Sequence, residues 1–391
     1  MDNSTQQALV DSAIDLFSSK WYATVSVAEI CRHAGLSNGA FYRHFRSKEE
    51  IFCAILDYVI QQIEKNLEVL PKFPQAERIQ AFVNILYDFS QQHTALVRVF
   101  REGQYRFFEY ERKLKDVYEK AFEVVFGKPP TVAEYLFAVA GLRFSSIRAA
   151  MHQIPVKTEV LAIILRNGIF EPQEINPEKI FATSIIPLAI ELLPNTRQRL
   201  LAEGRKLFGE KGYFETNIHE VASNAGLAIG SFYRHFESKE SFYRQVIRNV
   251  GRDVRHFITI NLQSDLNHVE REMRGLWLFI LFLSIDQYCY NIVREAEFVL
   301  PDEVRDYYDA FHKGYLKRED SQPCCDTTTC IEFMIGVAHY FGIEVIFNKS
   351  PEIAQNTIEE IGFLYMNGLA HTFEKKEGQN EKSTRRKRGE E

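Results

Sequence analysis

Between Ser37 and His44 the chain sets a hydroxyl, a carboxamide, a bare glycine, a methyl, a phenol, a guanidinium and an imidazole. Spread over about two helical turns, these groups match what a DNA duplex presents. Asn38 suits the N6/N7 edge of adenine, Arg43 the O6/N7 edge of guanine, and Ala40 the methyl of thymine. Gly39 lets the backbone approach closely, and Ser37 caps the helix. Tyr42, His44 and Lys48 suit phosphate oxygens, Lys48 from the first turn of the next helix. Ser26, the cap of the preceding helix, is counted in the same interface.

The stretch occurs twice. Residues 35–49 and 226–240 agree at eleven of fifteen positions, 191 residues apart in a chain of 391. That period is domain-sized, far beyond a solenoid repeat of roughly 20–50 residues, so one ancestral unit is written twice. The second copy offers Asn217, Ile229, Gly230, Ser231, Tyr233, Arg234, His235 and Lys239 for the same tasks. Ala228-Ile229 replaces Ser37-Asn38, which removes a cap and a polar reader. A different half-site, or binding mainly through phosphates, is expected of the second copy, and hence an asymmetric operator.

The elements that must hold these residues follow from local signals. Leu9, Ala13, Leu16 and Phe17 give residues 4–20 a helical stripe, with Ser4 or Thr5 as cap. Ser26-Val27-Ala28-Glu29 reads as a capping box opening a short second helix, matched by Asn217 to Glu220. That helix stops at Ala34-Gly35 and Ala225-Gly226, where glycine supplies the left-handed turn. A third helix follows, with Phe41 and Phe45 (Phe232 and Phe236) facing inward: a helix-turn-helix, whose second helix enters the major groove. A fourth helix runs from Ser47 through Leu67, with its counterpart starting at Ser238.

After each such unit, Phe82, Ile85, Leu86 and Phe89, and then Leu276, Phe279, Ile280 and Leu283, show the spacing of half-buried helices. Arg101 to Tyr105 aligns with Arg294 to Phe298. Helical patterns continue through 131–152, 176–193, 327–347 and 351–373, and no strand-like alternation is convincing, so the fold class is all-α. The expected domains are 1–48 and 194–239 (helix-turn-helix), 49–193 and 240–374 (helical bodies), and a disordered basic tail at 375–391. Leu192 to Asn195 is the whole linker, too short for a flexible tether.

The pattern from Tyr22 through Ser26-Val27-Ala28-Glu29-Ile30, Ala34 to Phe45 and Ser47-Lys48-Glu49 resembles the DNA-binding domain of the TetR family of bacterial transcriptional repressors. The resemblance covers about 45 residues, twice. It implies helical ligand-binding and dimerisation domains behind each head, a homodimer joined by the last two helices of each subunit, and a small-molecule inducer that releases a palindromic operator. Two complete units in one chain suggest instead an intramolecular pseudo-dimer, with a further homodimer as an open alternative. Trp21 departs from the glycine usual in the family, which the second copy keeps as Gly212.

Composition bounds the rest. Net charge is −6 with pI near 6.1, so this is no general polyanion binder, and positive charge must act locally. The 31 Phe and 18 Tyr favour large apolar cores or pockets. Phe89, Phe100, Tyr105, Phe108, Trp277, Phe282, Tyr288 and Phe298 are the candidates to line an apolar effector pocket, although most aromatic residues there must be core. No export signal and no membrane span are visible; the longest apolar run is Leu276 to Leu283. With six Cys and no CxxC pair, reduced thiols in a cytoplasm are expected. The histidines lack metal-ligand spacing, no cofactor is implied, and Cys324-Cys325 reads as a loop with incidental thiols. Gly35-Leu36-Ser37-Asn38-Gly39 matches a hydrolase nucleophile elbow only as a string, since that chemistry needs a preceding strand. The reading is a DNA-binding regulator and not an enzyme. Its rival is a helical sensor or scaffold whose heads no longer read DNA.

Overall fold

The computed structural model describes residues 2–188, 195–317, 326–348 and 351–370, and every regular element among them is helical. The linker residues 192–194, the Cys324-Cys325 pair and the basic tail lie outside the described residues. Two compact units emerge. The first comprises residues 1–169, 323–337 and 363–391, the second 170–322 and 338–362.

The first unit opens with α1 (Asp2–Ser19), α2 (Val27–His33), α3 (Asn38–His44) and α4 (Lys48–Leu67). It continues with α5 (Arg78–Gln92), α6 (Thr94–Arg106) and α7 (Phe108–Phe126). Then α8 (Val132–Tyr135) runs through a π-helical stretch into α9 (Gly141–His152), followed by α10 (Thr158–Asn167). The second unit repeats this plan. A short α11 (Pro177–Ile180) precedes α12 (Thr196–Glu215), α13 (Ile218–Asn224), α14 (Ile229–Tyr233), α15 (Lys239–Asn261), α16 (His268–Ile285), α17 (Tyr288–Val299) and α18 (Pro301–Leu316). The last helices among the described residues are α19 (Thr327–Asn348) and α20 (Pro351–Asn367). No single helix among the described residues is long and apolar enough to cross a membrane.

Three local expectations change. α1 starts at Asp2, so Ser4 and Thr5 lie inside it and not at the cap position. Ser26 does accept from Glu29 N, but the Glu29 carboxylate pairs with Lys20 instead of closing the box. Lys211 and Glu220 repeat that α1–α2 brace in the second copy. Residues 176–188 are not one helix: among them only Pro177–Ile180 is helical, 181–188 has no regular structure, and 189–193 lie outside the described residues. Pro187 removes a donor and disfavours helix at Ile186. Both backbone groups of Ile186 bond instead to the Asn261 side chain, at 2.6 and 3.0 Å. Glu270 accepts from Asn176 N, Arg274 donates to the carbonyls of Ile180 and Ala182, and Phe181 meets Trp277 edge-on. These contacts are why residues from 170 onward pack with the second unit, ahead of the boundary suggested by the repeat.

Within the first unit, α9 crosses the opening turns of α19 at a pair of glycines. A Cβ on Gly141 would lie 2.7 Å from Phe333, and one on Gly336 would lie 2.6 Å from Phe144 and 3.2 Å from the Gly141 Cα. The two glycines are repeat equivalents, each ten residues beyond its helix cap, Thr131 or Asp326. Backbones approach here as only glycines allow. Gly336→Ala is therefore expected to lower the unfolding free energy by about 1–3 kcal/mol through overpacking, measured by urea denaturation.

Candidate nucleic-acid interface

In the first head, Phe41 and Phe45 are buried and pack the third helix onto the domain. Gly35 takes φ +68 and turns the chain. The Ser37 hydroxyl then accepts from Ala40 N at 3.2 Å and starts α3. This cap, not nucleophilic chemistry, is what Ser37 does, and the element before it is helical. The solvent face carries Ser37, Asn38, Gly39, Tyr42 (59% exposed) and Arg43, with His44 half-buried. Arg43 Nε donates to the Gly39 carbonyl at 3.3 Å, which steers the guanidinium along the N-terminal half of the helix. Ser26 is exposed at the start of α2. Ala40, expected to offer its methyl, is instead 6% exposed. It falls on the inward face one residue before Phe41.

The second head repeats the frame with a weaker start. Gly226 turns the chain at φ +66, but Ala228 supplies no side-chain cap. α14 spans five residues against seven for α3. Asn217, Gly230, Tyr233 (57% exposed), Arg234 and His235 are exposed, while Ile229 and Ser231 are half-buried. Asn217 accepts from His219 N. The glycines of both third helices have no internal reason to be glycine. A Cβ on Gly39 would meet nothing nearer than Ser37 Oγ at 3.7 Å, one on Gly230 nothing within 4 Å, and neither has positive φ.

Lys48 and Lys239, expected to meet phosphate, are engaged with the backbone of their own heads. Lys48 Nζ donates to the carbonyls of Tyr22 and Val25, at 2.8 and 2.7 Å, and lies over the Tyr22 ring. Lys239 Nζ reaches the Phe214 carbonyl at 3.3 Å over the Tyr213 ring. Burial pushes both ammonium groups below the usual lysine range. Each lysine thus fastens the loop between the first and second helices of its head. A buried glutamate grips the same loop from the body. Glu102 on α6 accepts from Tyr22 N at 2.8 Å, and Glu295 on α17 accepts from Tyr213 N at 2.6 Å. Neither glutamate was singled out by spacing, although both sit in the stretch where Arg101 to Tyr105 aligns with Arg294 to Phe298.

Behind the first head, α4, α5, α6, α7 and α9 line a partly open cavity of about 30 Å³, room for roughly two waters. Phe89 and Phe100 line it, with Leu86, Ile147 and other aliphatic side chains. Its polar lining is Ser90, Arg101, Tyr118 and Arg143, all hydrogen-bond donors. Arg143 is 7% exposed and holds Glu111 at 2.6 and 3.1 Å and Gln104 at 2.7 Å. Tyr105 and Phe108 do not line this space, and Phe108 is 36% exposed. In the second unit Trp277 and Phe282 are core against Phe181 and Phe257. Tyr288 packs on Gly209 with its hydroxyl to Glu210, and Phe298 is half-buried.

Residues 9–55 and 200–246 each match the family described as bacterial regulatory proteins, tetR family. The HTH-type transcriptional repressor DhaR of Mycobacterium sp. (strain GP1) is 37% identical over 68 residues, 17% of this chain and 34% of that protein. The HTH-type transcriptional regulator AcrR of Shigella flexneri is 38% identical over 71 residues, 18% of this chain and 33% of that protein. The chain therefore spans about a third of the length of these relatives. Among solved structures, the fatty acid degradation regulator FadR from Bacillus halodurans aligns with 46% of this chain and 98% of its own, at 15% identity and TM-score 0.37.

Lys48 donates to two backbone carbonyls, and its loss takes that donor from Val25 O and leaves Tyr22 O with the 3.3 Å bond from Val25 N. Lys48→Met is expected to reduce stability by about 1–3 kcal/mol, seen as a lower urea midpoint at unchanged slope.

Proposed function

This chain belongs through both of its halves to the TetR family of bacterial regulatory proteins, and from that premise we propose that it is a DNA-binding transcriptional regulator acting as a single-chain pseudo-dimer. In this reading it is a repressor that a small effector releases. The observation that carries the DNA reading is the pair of outward-facing glycines, Gly39 and Gly230, each three residues before an exposed Tyr-Arg pair. Glycine costs up to about 1 kcal/mol relative to alanine in a helix interior, and part of that in the first turn, where Gly39 and Gly230 stand second in their helices. Here neither turn geometry nor internal packing offsets that cost. Close approach of an outside surface does, and a duplex backbone in reach of Tyr42, Arg43, Tyr233 and Arg234 is such a surface. Asn38 and Arg43 are the base readers of the first head. The second head, lacking the Asn38 equivalent, leans on phosphates, so the operator is asymmetric. Lys48, Lys239 and Ala40 leave the proposed contact set.

The crossing of repeat-equivalent Gly141 and Gly336 supports the pseudo-dimer, because a two-fold axis brings equivalent residues together. For the effector, the cavity lining favours an apolar body carrying a hydrogen-bond-accepting group, which Arg143 and Tyr118 would receive. The space is small, so binding must part side chains on α5, α6 and α9. Phe100, Arg101 and Glu102 are consecutive on α6, so a shift that admits effector also moves the carboxylate gripping the head. Effector and DNA then oppose each other reciprocally.

Gly39→Ala separates recognition from folding. It is expected to stabilise the free protein by about 0.5–1 kcal/mol, yet to weaken binding to genomically selected fragments by about tenfold, followed by fluorescence anisotropy. Arg43→Ala should cost about 1–3 kcal/mol of binding. A Gly39→Ala protein that is more stable and binds unchanged would remove the close-approach argument.

A further inference from the structure

The first unit contains an ion pair that the DNA reading does not use. Arg148, on α9, and Glu332, on α19, are 4% and 0% exposed at their side chains. Arg148 Nε lies 3.0 Å from Glu332 Oε2, and Nη2 lies 3.3 Å from Oε1, a two-pronged contact. One partner comes from each half of the duplicated sequence. Registry around the glycine crossing gives the pair its meaning. Arg148 stands seven residues after Gly141, and the residue seven after Gly336 is Ile343. Glu332 stands four before Gly336, and the residue four before Gly141 is Phe137. By sequence count, then, apolar residues stand where the other half carries a charge: Phe137 for Glu332 and Ile343 for Arg148, each of them buried.

We propose that Arg148 and Glu332 select the partner of each half: the first-half α9 surface accepts the second half of this chain and rejects a second first half. The proposal rests on the pseudo-dimer reading. If two first halves paired through the same crossing, each Arg148 would meet the apolar stretch Leu136–Ala140 that precedes Gly141, a π-helical turn with no charged side chain. If two second halves paired, each Glu332 would face Ile343. Either arrangement buries two charges against hydrocarbon, whereas the unlike pairing satisfies both. Breaking a buried pair leaves an uncompensated charge, while replacing both partners by apolar residues is commonly neutral or stabilising. The pair therefore contributes choice of partner more than stability. The consequence is that every assembly carries one Ser37-Asn38 head and one Ala228-Ile229 head.

Joining the halves covalently hides the choice, because a short tether holds them at an effective concentration in the millimolar range. The test is to place a protease site within residues 189–194 of the full chain, fold it, cut it, and let the fragments exchange before native mass spectrometry. Wild type and the charge-swapped R148E/E332R are expected to give only unlike pairs. R148M/E332L, folded by circular dichroism, is expected to raise like pairs about a hundredfold or more. Exclusively unlike pairs in folded R148M/E332L, or like pairs in wild type, would overturn the inference. If the uncut wild-type chain is itself a dimer of chains, the pseudo-dimer reading fails and takes the inference with it. The DNA-binding experiments are independent of both outcomes.

Discussion

A buried carboxylate in each body grips the first turn beyond the opening helix of its head: Glu102 through Tyr22 N, and Glu295 through Tyr213 N. Both glutamates are buried, at 2% and 8% exposure. A hydrogen bond to a charged group contributes about 1.5–3 kcal/mol, and a buried carboxylate deprived of donors costs more. The grip is therefore hard to release without moving the helix that carries it. On the opposite side of the same loop, Lys48 closes the carbonyls of Tyr22 and Val25. The loop is held from head and body together, so the aim of α3 follows the position of α6. An exposed reading helix with no such anchor would point nowhere in particular.

The duplication has kept this frame while letting the contents drift. The Lys–Glu brace between the first two helices, the lysine over the tyrosine ring and the buried glutamate all recur at matching positions. What differs is at the tips and hinges. Ser37 caps α3 and Ala228 caps nothing, and the second helix is correspondingly shorter. Gly212 takes φ +82 within α12, a conformation closed to Trp21, whose φ is −59. The first copy ends its helix at Ser19 and re-enters through a 3-10 turn instead. Two heads built on one plan thus present unequal surfaces.

Much of this was legible in the sequence because the signals were local. Gly35 needed a left-handed turn, Ser37 a helix to cap, and Phe41 and Phe45 a common inward face; all three are met where expected. Ala40 was misplaced because helical phase at the start of a short helix is uncertain by one face. The hold of Lys48 on its own head was not legible because its acceptors lie 26 and 23 residues back, and nothing in local spacing marks a carbonyl. Residues 176–193 looked helical from their apolar residues, but Pro187 and the distant Asn261 side chain draw out the stretch around Ile186. Phe89 and Phe100 were visible as pocket candidates. Arg143 was not, since a lone arginine in an apolar helix shows its value only once Glu111 and Gln104 arrive.

The central claim is that one chain brings two unlike readers to one duplex. A footprint on DNA selected by the purified protein, with protein-to-DNA stoichiometry determined alongside, tests it most directly. The account predicts one chain protecting two unlike half-sites centred about one helical turn apart or slightly more. A symmetric palindrome occupied by two chains would contradict it.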